Sequence, residues 1–308
     1  MASTYGALVL VQVFFGLWPV AAAGVFDEVS PPALIGFRTL VGAPLMMAMI
    51  PGAWRLWPPS VLLRFAGLGL LGVGANQLLY VYGLERAGPV NAAILVTFIP
   101  IVTLIAAVAF GKERWQTHRV AGVLLAVVGV GTLVGAERFE LDGAFLGSLL
   151  ILANMTSYGI YLVLARETVA RFGALTTVAW VFVFGALEAL PFTAGPVLST
   201  PWTSLSAATW GKLAFILVGP TFGTYFLNAY ALRRADSSVV AVFIGLQPIV
   251  GGIGAWWAFG ETMSPRAAFS AVLIVTGVVI TAAWERRRRT TEVSEQQGGS
   301  PDGSSPSR

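Results

Sequence analysis

The sequence predicts an all-α integral membrane protein, with ten transmembrane helices arranged as two inverted five-helix repeats. Three observations carry this. The 308 residues are 56% hydrophobic and only 11% charged, with mean hydropathy +0.77, whereas soluble domains carry roughly 25% charged residues. Ten apolar segments of about 18–23 residues follow one another, each near the ~20 residues that a helix needs to cross a bilayer. One stretch, Tyr82 to Glu113, recurs 148 residues later as Tyr230 to Glu261.

The recurrence needs no gap. Leu84, Arg86, Ala87, Ala93, Pro100, Ile101, Val102, Ile105, Ala107 and Glu113 meet Leu232, Arg234, Ala235, Ala241, Pro248, Ile249, Val250, Ile253, Ala255 and Glu261, ten identities in thirty aligned pairs, with Tyr82 over Tyr230 just upstream. Ala, Val and Ile match often in so apolar a chain, but a Pro and a Glu at one fixed separation do not. A fixed-period self-match marks a repeat architecture, and many secondary transporters are built this way. The division expected is 1–136 for the first repeat, 137–285 for the second and 286–308 for a tail.

These residues resemble the drug/metabolite transporter superfamily of EamA type. The likeness rests on Tyr-x-Leu-x-x-Ala entering a helix, the proline within it, and the Gly and Glu closing it, and it covers roughly residues 5 to 285. The resemblance implies a carrier of small organic metabolites such as amino acids or their analogues. It makes Glu113 and Glu261 signature positions, and matches Arg38 to a basic residue early in the second helix.

In chain order, the segments expected to span are 5–25, 32–51, 62–83, 90–110, 119–136, 143–164, 174–194, 211–231, 237–259 and 267–284. Pro31-Pro32, Pro58-Pro59, Gly88-Pro89, Pro191, Pro201 and Pro265 fall at or near their ends, as helix breakers should. The first segment ends in Ala21-Ala22-Ala23 like a signal peptide, but it lacks a basic n-region and reads as a retained helix. After Glu285 comes the basic run Arg286 to Arg289 and then a Ser-, Gly-, Pro- and Gln-rich tail, too polar to bury a core.

Lysine and arginine set the orientation. With the N-terminus in the cytoplasm, the inner loops and the basic run after the last span hold thirteen: Arg55, Arg64, Lys112, Arg114, Arg119, Arg166, Arg171, Arg233, Arg234 and the four of Arg286 to Arg289. The outer loops hold four: Arg86, Arg138, Lys212 and Arg266. Both termini are therefore expected on the cytoplasmic side of the cell membrane. Five helices per repeat is an odd number, so the second copy enters from the opposite side and the repeats are inverted.

Polar groups inside a bilayer are costly and face cavities or partner helices. The third segment carries Asn76, Gln77 and Tyr80, with Gly69 and Gly72 on the same helical stripe. The sixth carries Asn154, Ser157, Tyr158 and Tyr161 on one face, the eighth repeats this with Thr221, Thr224, Tyr225 and Asn228, and the first adds Gln12 and Trp18. These helices are expected to line a substrate cavity. The bland alternative is that the same groups only hold helices together. Two full charges, Arg38 in the second segment and Glu188 in the seventh, lie at matched depth, ~10 Å from the outer ends at 1.5 Å per residue. They are expected to pair in at least one state, as a gate or substrate anchor, the alternative being a snorkelling Arg and an interfacial Glu. Pro100 and Pro248 are expected to kink their helices, and Glu113 and Glu261 to cap loops or interfaces. Gly131 and Gly135 make a small-xxx-small pair compatible with a homodimer.

The composition excludes several classes. Cysteine is absent and His118 is the one histidine, so no thiolate nucleophile and no histidine–cysteine metal site is available. The basic residues are spread over loops and one tail rather than one face, which argues against nucleic acid. No G-x-x-x-x-G-K-[ST] motif occurs, so energy is expected from an ion gradient or exchange. No cofactor is implied. A membrane enzyme would need paired titratable groups, and the spans offer only Arg38 and Glu188. A channel or scaffold fits poorly with inverted repeats around a shared polar centre. The partners expected are a small-molecule substrate, moved outward, and the lipid bilayer.

Overall fold

Without water in a bilayer core, a spanning backbone must satisfy its own hydrogen bonds, which a helix does. The computed structural model describes residues 2–50, 57–96, 98–134, 145–247, 249–250, 253, 269, 272–280 and 283, and every element among them is helical. Helix α1 spans Ala2–Ala23 and α2 Pro31–Ala48. Helix α3, Pro59–Gly69, passes through a π turn at Leu70–Gly74 into α4, Ala75–Val96. Then come α5 (Ile99–Ala109), α6 (Thr117–Val134), α7 (Phe145–Phe172) and α8 (Ala174–Ser199). Helix α9, Ala207–Ile216, passes through a second π turn, Leu217–Gly223, into α10, Thr224–Leu232; α11 is Ser237–Val242, and a last helical run covers 272–280.

Starts follow from local chemistry. Pro31 and Pro59 stand in the first turns of α2 and α3, where a missing N–H costs nothing. Ser206 caps α9 by accepting from the Thr209 amide at 3.1 Å. Four helices among the described residues are long and apolar enough to cross a membrane: Pro59–Gly83, Phe145–Phe172, Ala174–Ser199 and Ala207–Leu232.

Several boundaries differ from the sequence reading, each for a backbone reason. Gly88-Pro89 does not separate two helices, since the helical backbone runs on to Val96. Pro191 lies inside α8, which continues to Ser199 rather than ending near 194. Proline bends a helix without ending it where neighbouring helices meet the freed backbone groups. Pro100 is not mid-helix: it sits in the first turn of α5. Helix α7 runs beyond 164 to Phe172, and the turn into α8 is the single residue Gly173 at φ 87°, a left-handed conformation open to glycine. The tail, Gly135, Pro248 and Glu261 lie outside the described residues, and of Gly131 only the backbone is described.

The 148-residue offset reappears in the backbone. Helices α3 and α9 begin at 59 and 207, and 70–74 moved by 148 becomes 218–222, inside the second π turn. The duplicated Tyr motif makes the same local structure twice. Arg86 stacks on Tyr82 at 5.8 Å and donates to its carbonyl at 2.9 Å; Arg234 stacks on Tyr230 at 3.7 Å and donates to its carbonyl at 3.1 Å. Helices α2 and α8 pack closely and antiparallel. A Cβ on Gly36 would lie 2.3 Å from Val197 and 3.0 Å from Thr193, while Gly42 meets Phe182.

Polar groups gather at the two ends. At one, Glu167 of α7 accepts from Arg64 of α3 and from Lys112 of the α5–α6 loop, Arg166 pairs with Asp236, and Glu113 accepts from the Ser237 and Ser238 hydroxyls and the Ser238 amide. At the other, Glu28 accepts from Ser206 and Thr209, and Lys212 donates to the Gly24 carbonyl. The first end collects loops that the charge count assigned to the inner side, and the second collects loops assigned to the outer side. Between the ends lies a core shared by both halves, with Phe182, Met155, Leu162 and Val239 buried in one cluster.

Candidate functional site

The interior is built around the two π turns. A π turn adds a residue to the helical cycle and is often found at functional sites. Proline removes the donor that the carbonyl four residues earlier would receive. At Pro220 that carbonyl is Ile216, which takes the Thr221 hydroxyl instead at 2.8 Å. The Pro220 carbonyl accepts from the Thr224 hydroxyl at 2.6 Å and from Arg38 Nη2 at 3.3 Å, and Arg38 Nε donates to Thr221 Oγ1 at 2.9 Å. The Trp18 ring covers the guanidinium at 4.4 Å. Arg38 therefore joins α2, α1 and the opened helix α9–α10.

The other π turn sits against α7, α8 and α10. A Cβ at Gly72 would meet the Tyr161 ring at 2.6 Å, so only glycine lets the helices approach this closely. The Gly72 carbonyl accepts the Tyr225 hydroxyl at 2.8 Å and the Leu71 carbonyl accepts Ser157 at 2.8 Å. One turn on, Asn76 and Asn154 exchange side-chain amides for each other's carbonyls at 3.2 and 2.6 Å. Tyr225 packs edge-on against Phe182 at 4.7 Å, Tyr158 stacks with Tyr161 at 5.7 Å, and Asn228 donates to the Tyr158 hydroxyl at 3.2 Å.

Four buried polar atoms in this region make no close hydrogen bond, Glu188 Oε2, both Gln77 side-chain atoms and Asn228 Oδ1, and of these the Gln77 amide faces the Tyr225 phenol. The glycine at 74 lets Glu188 lie on the α3–α4 backbone, because a Cβ there would stand 2.7 Å from Glu188 Oε2. Gln77 follows Gly74 by three residues, hence on the same face, and lies beside the Tyr225 phenol. Asn228 follows Tyr225 by the same step on α10. The unpartnered atoms thus form a seam running from α8 across α4 to α10. Each such buried group costs roughly 1–3 kcal/mol when left alone, so the seam gains from a polar guest.

The residues singled out in the sequence divide accordingly. Gln77, Tyr158, Glu188, Tyr225 and Asn228 share the seam. Asn76 and Asn154 satisfy each other beside it, and Thr224 is spent on Pro220. Gln12 is drawn away to Gln247 at 2.9 Å. Tyr80, one turn beyond Asn76, is partly exposed and makes no hydrogen bond to a described residue. The single stripe expected on the third segment is split, with Gly72 and Asn76 facing α7 while Gly69 and Gly74 face α8. The π turn shifts the helical phase, and nothing in hydropathy reports it.

Arg38 and Glu188 do not pair in this structure. Gly36 lies opposite Thr193 and Gly42 opposite Phe182, which places Arg38 near the level of Glu188. The directions differ: Arg38 turns to Thr221 and Glu188 to Gly74. Sequence reasoning missed Pro220, Gly74 and Gln247. A Pro followed by Thr at one and four residues, and glycines at 69, 72 and 74, were the available signals.

Comparison with known proteins places these features. The EamA-like transporter family matches residues 2–135 and again 145–283. An uncharacterized transporter of Archaeoglobus fulgidus is 26% identical over 261 residues, covering 83% of this chain and 89% of its own. The uncharacterized transporter YyaM of Bacillus subtilis is 26% identical over 238 residues, 74% of this chain and 75% of its own. A WAT1-related protein of Arabidopsis thaliana is 25% identical over 268 residues, 77% of this chain and 69% of its own. A solved crystal structure superposes with TM-score 0.77 at 21% identity over 93% of this chain and 99% of its own, a likeness of fold. The family description and the names of the archaeal and Bacillus relatives are those of transporters rather than enzymes.

Proposed function

Because this chain belongs to the EamA-like transporter family and is a multi-pass membrane protein, we propose that it is a secondary active carrier exporting small organic metabolites across the cell membrane by alternating access. The carrying observation is the seam of buried, unpartnered polar atoms on Gln77, Glu188 and Asn228, where helices of both halves meet. In this reading ten helices form two inverted five-helix repeats, 1–136 and 137–285, with both termini cytoplasmic. The antiparallel packing of the equivalent helices α2 and α8, and the π turns one repeat apart, support it: two halves related in this way can rock about a site at their interface. The energy comes from an ion gradient or exchange.

The test begins with a resistance screen, in which a sensitive host overexpressing the protein is challenged with toxic amino-acid analogues, nucleosides and amines. A solute that emerges is then measured in liposomes. Saturable uptake with counterflow is expected, reduced at least tenfold by Gln77→Ala and Asn228→Leu; ohmic current or non-saturable flux rejects the carrier. Orientation is read from single cysteines: Glu140→Cys labelled by an impermeant reagent in intact cells, and Arg114→Cys only after lysis.

A further inference from the structure

The seam is unbalanced in a way that specifies its guest. Three acceptor oxygens, Glu188 Oε2, Gln77 Oε1 and Asn228 Oδ1, make no close hydrogen bond, against one donor, Gln77 Nε2, that faces the Tyr225 phenol. One acceptor belongs to a carboxyl group. Gln77 is 8% exposed and Asn228 7%, so water reaches neither freely. Resting on the carrier reading above, we propose that the Glu188 carboxylate with Gln77 is the subsite for the ammonium group of an organic cation, and that the preferred solutes are amines without a carboxylate.

Charge accounting supports this. Arg38, the charge at the same level, is held by Thr221, Pro220 and the Trp18 face, so it is already engaged before any solute carboxylate arrives. On the elements packed against α8, Arg64 of α3 and Arg166 and Glu167 of α7 are paired at the helix ends. The other titratable groups nearby are phenols, Tyr80, Tyr158, Tyr161 and Tyr225. No cation stands against Glu188 among the described residues. An ammonium brings up to three donors and the missing positive charge, and a desolvated charged hydrogen bond is stronger than a neutral one. Aromatic rings near the seam favour a cation further. A zwitterion would bring a carboxylate to a place where the one donor, the neutral Gln77 amide, faces the Tyr225 phenol and no cation is free to receive it, at a large desolvation cost.

A matched set of probes separates these cases: phenethylamine carries ring and ammonium, phenylalanine adds a carboxylate, and phenylpropionate has the carboxylate alone. Melting of the purified full-length protein near neutral pH is followed as each is titrated. Phenethylamine is expected to stabilise saturably and phenylalanine at least tenfold more weakly, with no effect from phenylpropionate. Glu188→Gln, which keeps the side chain's shape, should remain folded and weaken the amine by at least tenfold, and Glu188→Asp should recover part of the loss. Unchanged amine affinity in Glu188→Gln, preference for either carboxylate-bearing probe, or no saturable amine shift overturns the proposal. Liposome counterflow then separates it from the carrier reading. Amine binding dependent on Glu188 without counterflow rejects the carrier and keeps the subsite. Counterflow of another solute indifferent to Glu188→Gln rejects the subsite and keeps the carrier.

Discussion

Arg38 and Glu188 lie at one level on neighbouring antiparallel helices and carry opposite charge, yet their surroundings are opposite in kind. Around Arg38 the protein supplies two acceptors and an aromatic face. Around Glu188 it supplies the bare backbone of Gly74 and leaves a buried oxygen unpartnered. The difference teaches that a shared level in the fold does not mean an equal role: Arg38 is buried, whereas Glu188 is half-buried with one oxygen shut away from solvent. A charge whose bonds are met within the fold holds helices together, whereas a charge left unmet costs stability and is kept for what it binds.

The largest expected effect is at Arg38. Arg38→Met removes the bonds to Thr221 and Pro220 and the contact with Trp18, and should destabilise by about 2–4 kcal/mol from lost charged hydrogen bonds and packing. Arg38→Lys should recover little, because an ammonium cannot copy the guanidinium fork. Melting in detergent checks both. The exchange Arg38→Glu with Glu188→Arg should fail to restore folding, since the two side chains face different partners; recovery of native melting would show that they do pair.

Gly74→Ala comes next. The new methyl would stand 2.7 Å from Glu188 Oε2 and 2.9 Å from its Cβ, so the carboxylate must move, at about 1–3 kcal/mol for overpacking, with loss of transport. Gly67→Ala in the same helix meets nothing within 4 Å and should be neutral or slightly stabilising. Equal melting of the two variants would remove the reason given for glycine at 74.

Glu188→Gln should change stability least of the interior substitutions, within about 0.5 kcal/mol or slightly upward, because it replaces an unpartnered carboxylate with a neutral amide. Transport should nevertheless be lost. A melting drop as large as that of Arg38→Met would make Glu188 a structural charge like its neighbour and abolish the contrast.

The smallest effect is at the clasp of Glu28 on the start of α9. The Ser206 amide and the Thr209 and Ser206 hydroxyls hold the Glu28 carboxyl below its ordinary value of 4.5. A depressed folded pKa gives stability that is present above the unfolded value and is lost as pH falls through the folded one. Wild type should therefore lose melting temperature below about pH 4.5 more steeply than Glu28→Gln. Parallel acid profiles would show that the clasp carries no such linkage.

Much of this was legible in the residues. The family, the membrane class and the self-match at 148 residues rest on composition and on Tyr82, Pro100 and Glu113 recurring in register, and all of them survive any choice of packing. Gln77, Tyr158, Glu188, Tyr225 and Asn228 stood out because polar side chains inside apolar helices are costly wherever they point. The spacing Asn154, Tyr158, Tyr161 put these residues on one face of α7, which was expected to line a cavity and here meets the third helix.

What the residues alone determined was therefore which groups must be buried and on which helices, since hydrophobicity and period act along one chain segment. Their direction was decided only in three dimensions. The π turns at Leu70–Gly74 and Leu217–Gly223 rotate one half of each helix against the other, and Pro220 opens carbonyls that draw Arg38 toward α9–α10. Both effects depend on which neighbour stands ready to satisfy a backbone group. For that reason two charges with matching depth in the sequence came to have different partners in the fold.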